Sequence, residues 1–189
     1  MVQIFGQNGG GLCAYDQSPY LDNLAFTNNQ ANSKGGGLYV DGGGICDIWN
    51  CRFINNSVEG HGGGAYFDSY VQMLRYLTFI NNSVALGEGL VFKSWNGDFL
   101  SNSEFYDSHA SYGGGALLKQ EKTGLFMNLM IINNYYNVYR DAILRTSDII
   151  NNTAYIDVGV YTRGGEIYDD THFSGTTADF LDSMLFWMM

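Results

Sequence analysis

The chain has a single proline, Pro19, among 189 residues, which excludes a polyproline linker and a collagen strand, since both need proline at high density. Basic side chains are also scarce. Nine Lys and Arg stand against 19 Asp and Glu, and the resulting formal charge of −10 repels a phosphate backbone and an anionic lipid surface alike. No nucleic-acid or membrane partner is therefore expected. No window is apolar for long enough to span a bilayer, and Met1 to Gly11 shows no basic-then-apolar stretch of the signal-peptide type. The three cysteines, Cys13, Cys46 and Cys51, are odd in number and lack metal-ligand spacing, so neither a disulfide framework nor a zinc site is expected. Their spacing is compatible both with free thiols and with one Cys46–Cys51 bridge.

What the chain does contain is 25 glycines and a repeated pair of asparagines. An apolar residue, any residue, then Asn-Asn occurs at Phe26–Asn29, Phe53–Asn56, Phe79–Asn82, Ile131–Asn134 and Ile149–Asn152, with degenerate copies at Phe105–Ser108 and Phe173–Thr176. The lead residues recur about every 26 positions, apart from one short interval between Ile131 and Ile149. A glycine run followed by an apolar segment alternates with this motif, ending at Gly37, Gly64, Gly89, Gly115 and Gly159. Two patterns locked in phase at this period mark a solenoid.

Strands, not helices, build the repeat. Glycine triplets would cost a helix about 1 kcal/mol per residue, and apolar residues recur at every second position, as in Leu24 with Phe26 and Leu77 with Phe79. Five inward columns result, among them Leu21, Ile48, Leu74, Leu100 and Phe126, and a second of Leu24, Cys51, Leu77, Ser103 and Leu129. A third holds the lead Phe and Ile residues, and another runs through Ala31, Val58 and Val84. The Asn-Asn pair turns the chain, because asparagine tolerates a left-handed backbone and its amide can bond its equivalent one coil away. Structural asparagines are thus expected at Asn29, Asn56, Asn82, Asn134 and Asn152, and glycine corners where no Cβ fits. The expected fold is an all-β, right-handed parallel β-helix of about seven coils, rising about 4.8 Å per coil. It forms one domain over residues 1–189, either a segment of a longer solenoid or a subunit that assembles end to end. Variable loops are expected at one corner, over Asp41 to Asp47, Asp68 to Tyr70, Lys93 to Asp98 and Lys119 to Gly124.

The paired motifs resemble those of the chlamydial polymorphic outer membrane proteins, with Phe26–Asn29, Phe53–Asn56 and Phe79–Asn82 matching Phe-x-x-Asn. Gly63-Gly64-Ala65 and Gly114-Gly115-Ala116-Leu117 match Gly-Gly-Ala-aliphatic. The resemblance runs from about Gly9 to Phe186 and implies a right-handed β-helix of the broader pectin-lyase-like kind, acting as a surface adhesin. In that family a C-terminal membrane barrel carries the adhesin, and no barrel segment is visible here.

Chemistry-bearing columns are few. Only one outward column collects several ionisable groups, through Arg52, Glu104, Asp148 and His172, with Asp148 and His172 on adjacent rungs and Glu104 about two rungs, or about 10 Å, from Asp148. That spacing approaches the carboxylate pair of an inverting glycosidase, so Glu104, Asp148 and His172 are the candidate catalytic residues if the chain is an enzyme. His61, His109 and His172 fall in different columns, so no metal site is expected. No Gly-Lys-Ser/Thr follows any glycine run, so no phosphate loop and no cofactor are expected. Outward aromatics at Tyr39, Tyr66, Tyr106, Tyr161 and Trp95 are candidate binding residues on a sticky wall. Sequons at Asn55, Asn81 and Asn151 are candidate glycan acceptors, or a by-product of the Asn-Asn-Ser/Thr turn. No amphipathic helix caps either end, which points to self-association through the ends. The expected function is an extracellular or cell-surface structural and adhesive module, whose partners are a protein or glycan at a surface. The alternative is a polysaccharide-acting lyase or hydrolase on the same scaffold.

Overall fold

A computed structural model describes residues 5–85, 90–94, 99–110, 116–132, 138–145, 148–150, 153–154, 166–167, 172–174 and 177–178. Every strand pairing in it is parallel, and the strands form one five-stranded sheet, one 14-stranded sheet and a pair, Thr153–Ala154 with Thr177–Ala178. Each strand pairs with its equivalent about one repeat away, so the chain is a β-solenoid. From Phe26 the register passes to Phe53, Phe79 and Phe105 in three turns and continues along the backbone through Ile131, Ile149 and Phe173. The column Leu21, Ile48, Leu74, Leu100, Phe126 extends to Leu144 and Ile167.

The main core holds Leu38, Val40, Ile48, Phe53, Phe67, Leu74, Leu77, Phe79, Leu100 and Phe105, all essentially without solvent contact. Phe26, Phe53, Phe79 and Phe105 stack face to face, with centroids 5.0, 4.6 and 4.9 Å apart and planes within 8°. Each such pair adds about 0.5–1.5 kcal/mol beyond its buried area. Rung spacing imposes this parallel geometry, since equivalent side chains leave equivalent backbone positions.

Left-handed residues make the corners. Asn28, Asn55, Asn81 and Asp107 have φ of 55, 54, 50 and 50°, so the first position of each Asn-Asn or Asp-Ser pair takes the strained backbone. The second position points inward. Asn56 and Asn82 are fully buried, as is Ser108 in the degenerate copy. A second left-handed corner, which the repeat patterns above do not include, falls at Asn23, Asn50, Tyr76 and Asn102, with φ of 56, 51, 55 and 49°. Together the two corners bracket the three-residue strands Ala25–Thr27, Arg52–Ile54 and Thr78–Ile80. The glycine runs divide their work. Gly9, Gly35 and Gly62 take positive φ, while a Cβ on Gly36 would lie 2.2 Å from Gly63 O and 2.6 Å from Ser57 O. The wall after the asparagine corner therefore closes against the glycine segment, backbone to backbone.

The structure differs from three of the four expected corner loops, most of the fourth, Lys93 to Asp98, lying outside the described residues. Asp41 to Asp47 lies inside one strand, Leu38–Trp49, and Asp68 to Tyr70 inside Ala65–Arg75. Lys119 to Gly124 lies inside Ala116–Ile132. Pairing carries on through these segments, and shifts in register between Gly42 and Ile45 and between Lys119 and Gly124 absorb the extra residues as bulges. Leu24, placed in an inward column, is exposed, whereas Cys51, Leu77 and Ser103 of the same column are fully buried. The adjoining strand Ala25–Thr27 has no described partner on that side. Cys46 and Cys51 are buried free thiols rather than a bridge, and Cys13 is free and exposed.

Candidate interaction surfaces

Tyr39 and Tyr66, expected to offer an outward sticky stripe, are 2% and 1% exposed. The pleat does point them away from the main core, but with Val91 they form a separate apolar cluster under other side chains. The Lys34 ammonium lies 4.7 Å from the Tyr66 ring centroid and 5.8 Å from that of Tyr39. Tyr39 Oη donates to Asp41 Oδ2 at 2.6 Å, and Tyr66 Oη to Asp68 Oδ2 at 3.4 Å. Burial, followed by the Asp41 carboxylate, pushes the Tyr39 phenol far above its ordinary range. An outward strand position is thus a second packed layer here, not a free surface. Aromatic surface shifts instead to Tyr15, Tyr20 and Tyr76, which are 59%, 67% and 52% exposed. Tyr106 is half-buried, and its phenol is raised by burial and by Glu104. Trp95 and Tyr161 lie outside the described residues.

The asparagine ladder has a direction. Asn29 N and Nδ2 both donate to Asn56 Oδ1, at 3.0 and 2.9 Å. Asn56 N and Nδ2 repeat the pattern onto Asn82 Oδ1, at 3.0 and 3.1 Å. The same Nδ2 groups reach back across the coil, Asn56 to Phe26 O at 2.9 Å and Asn82 to Phe53 O at 2.8 Å. Asn134, Asn152, Gly89, Gly115 and Gly159 lie outside the described residues. At Gly37 an added Cβ would stand 2.6 Å from Gly64 O, and at Gly64 one would stand 2.7 Å from the Phe79 ring. Asn55 and Asn81 form a parallel exposed pair on adjacent rungs, with Asn81 Nδ2 donating to Asn55 Oδ1 at 2.9 Å. The third sequon, Asn151, lies outside the described residues.

Backbone pairing places the candidate catalytic residues in one column. Glu104 pairs with Met130, Met130 with Asp148, and Asp148 with His172. Glu104 and Asp148 are two rungs apart, about 10 Å along the stack. The Glu104 side chain is exposed. Among the described residues no group of three His, Cys, Asp or Glu side chains is placed to hold a metal ion, and His61 is an exposed surface residue. His109 pairs in register with Ser83.

The first described coil leaves one open feature. A cavity of about 310 Å³ is lined by Gly11, Leu24, Ala25, Phe26, Thr27 and Asn29. It lies beside Phe26 and Asn29, the first described ring of the phenylalanine stack and the first described amide of the ladder. No protein-family model matches the chain, and no match is found among curated proteins or solved structures.

Proposed function

We propose that this chain is a non-catalytic, extracellular structural and adhesive module, built as a right-handed solenoid of about seven coils. Crossovers between parallel strands are right-handed almost without exception, which supports the handedness. The coil number rests on the register that runs from Phe26 to Phe173. One observation carries the functional reading. The side chains that define the repeat are spent on stacking coils, as in the Phe26 to Phe105 rings and the Asn29 to Asn82 amides. A wall built this way supplies rigidity along its axis and presents aromatic contacts at Tyr15, Tyr20 and Tyr76 to a protein or glycan at a surface. The resemblance to the chlamydial polymorphic outer membrane proteins supports the same reading, with assembly through the ends as its extension.

A second reading rests on the column holding Glu104, Asp148 and His172, which would serve a polysaccharide lyase or hydrolase. A cleavage screen over neutral and acidic polysaccharides, run with Asp148→Asn alongside, separates the two. The scaffold reading expects no turnover, and turnover that disappears in the variant refutes it.

A further inference from the structure

We propose that the column through Asp41, Asp68, Lys93 and Lys119 is a pairing face for a second copy of this chain, laid alongside in the antiparallel direction about a two-fold axis between the rungs of Asp68 and Lys93. The contact is lateral, separate from growth through the ends, and does not depend on the module reading.

Backbone pairing fixes the column. Tyr15 pairs with Asp41, Asp41 with Asp68, Asp68 with Lys93, Lys93 with Lys119 and Lys119 with Arg140, so successive coils place one residue each on a single line. Ala14, Val40 and Phe67, which precede the first three of these residues, are buried in the main core. Alternation therefore sets Tyr15, Asp41 and Asp68 on the outer face. Tyr15 is 59% exposed there, and Asp41 and Asp68 are half-buried. Signs are segregated along the line, with two acids first and then three bases, at about 4.8 Å per rung. Within one chain that order is unfavourable. Asp41 beside Asp68, Lys93 beside Lys119 and Lys119 beside Arg140 set like charges on neighbouring rungs, and only Asp68 and Lys93 are opposite. Lys34, over the Tyr66 and Tyr39 rings, brings one positive charge to the two acids and leaves their block net negative.

In reverse order the same line is its own complement. With the axis between Asp68 and Lys93, Asp68 faces Lys93 of the second copy, Asp41 faces Lys119, and Tyr15 meets Arg140, a cation suited to an aromatic ring. Every contact then occurs twice, as an isologous interface requires. A parallel copy in register would set acid on acid and base on base, so the charge order selects the direction. Exposed ion pairs are individually weak, and their strength here comes from repetition along a rigid line.

The test uses the full chain in sedimentation velocity over a concentration series, with Asp68→Lys and Lys93→Glu alongside. Asp68 is the acid to change because its tyrosine bond is the longer, 3.4 Å against 2.6 Å at Asp41. The wild-type chain is expected to form a dimer that dissociates as salt is raised from about 0.1 to about 1 M, where the Debye length falls from about 10 to about 3 Å. Each variant alone sets like charges opposite each other twice and should raise the dimer dissociation constant about tenfold or more. An equimolar mixture of the two variants should dimerise again, because positions 68 and 93 of one then meet opposite charges on the other. Neither misfolding nor a charge ladder within one chain produces that recovery. A wild-type chain that stays monomeric, a dimer indifferent to salt, or a mixture no more associated than its components overturns the proposal. Each of these outcomes leaves the module reading intact, since that reading fails only by turnover in the polysaccharide screen.

Discussion

Replacing Asn56 with alanine puts the amide ladder to its sharpest test. The side chain is fully buried and makes four hydrogen bonds, accepting from Asn29 N and Nδ2 and donating to Phe26 O and Asn82 Oδ1. Alanine leaves the Asn29 N–H short of its partner, while the Phe26 carbonyl keeps its place in the strand ladder to Arg52–Ile54. Asn82 Oδ1 retains the Asn56 backbone N–H at 3.0 Å. An unsatisfied buried group costs about 1–3 kcal/mol, a sizeable share of a typical domain stability of about 5–15 kcal/mol. Asn56→Asp keeps the acceptor but loses both donors and aims a charge at two oxygens, so it should not rescue. Asn55→Gly is the matched control, because φ of 54° suits glycine and only an exposed bond to Asn81 is lost. It should change stability by about 0.5 kcal/mol or less. Urea unfolding followed by far-UV circular dichroism reads both. A loss in Asn56→Ala no larger than that in Asn55→Gly would refute the claim that the buried amide, rather than the turn, holds the corner.

Three further outcomes follow from single residues. Tyr76 sits at φ of 55° where Asn23, Asn50 and Asn102 hold the equivalent corners, and it is half exposed. Tyr76→Asn should therefore raise stability by about 0.5–1 kcal/mol, and a lower denaturant midpoint would contradict the strain. Among the thiols, only Cys13 should react quickly with a disulfide reagent in the folded chain, with Cys46 and Cys51 released on unfolding. Burial, with Asp47 adding to it, pushes the Cys46 thiol from 9.0 up to about 12, so the unfolded chain gives up this proton first. That contribution to stability is complete below pH 9 and is lost as pH rises toward 12. The fall in denaturant midpoint over this window should flatten in Cys46→Val, and an unchanged slope would show that the thiol is not its source.

Much of the fold is legible in the sequence because the solenoid admits few residue types at its tightest points. Gly36 has no room for a Cβ, and Asn55 and Asn81 pay for a left-handed backbone, so these positions repeat visibly. The corner at Asn23, Asn50, Tyr76 and Asn102 carried a signal at the same period, but Tyr76 is no turn former and breaks the pattern. Bulges hid differently. Gly42 to Gly44 resembles a loop, yet pairing with the next coil keeps it in a strand. Burial of Tyr39 and Tyr66 was not legible, because alternation shows which way a side chain points and not what lies over it. Lys34 and Tyr15 reach these rings from other segments. Glu104, Asp148 and His172 were legible as a column, since register follows from spacing, whereas the proton chemistry of a site depends on surroundings that spacing does not encode.

The likeness of the coils creates a threading problem. A chain that slips by one whole repeat still lays Phe on Phe and Asn on Asn, so its mis-threaded forms lie close in energy to the native one. The irregular members lift that degeneracy. Ser103 Oγ accepts from Leu77 N at 3.2 Å and donates to Ser101 O at 2.9 Å, and Cys51 Sγ reaches Trp49 O at 3.1 Å, each in a place its equivalents cannot fill. Substitutions that tidied the repeat toward a consensus would erase these addresses, giving a stack that is locally more regular and globally less sure of its own register.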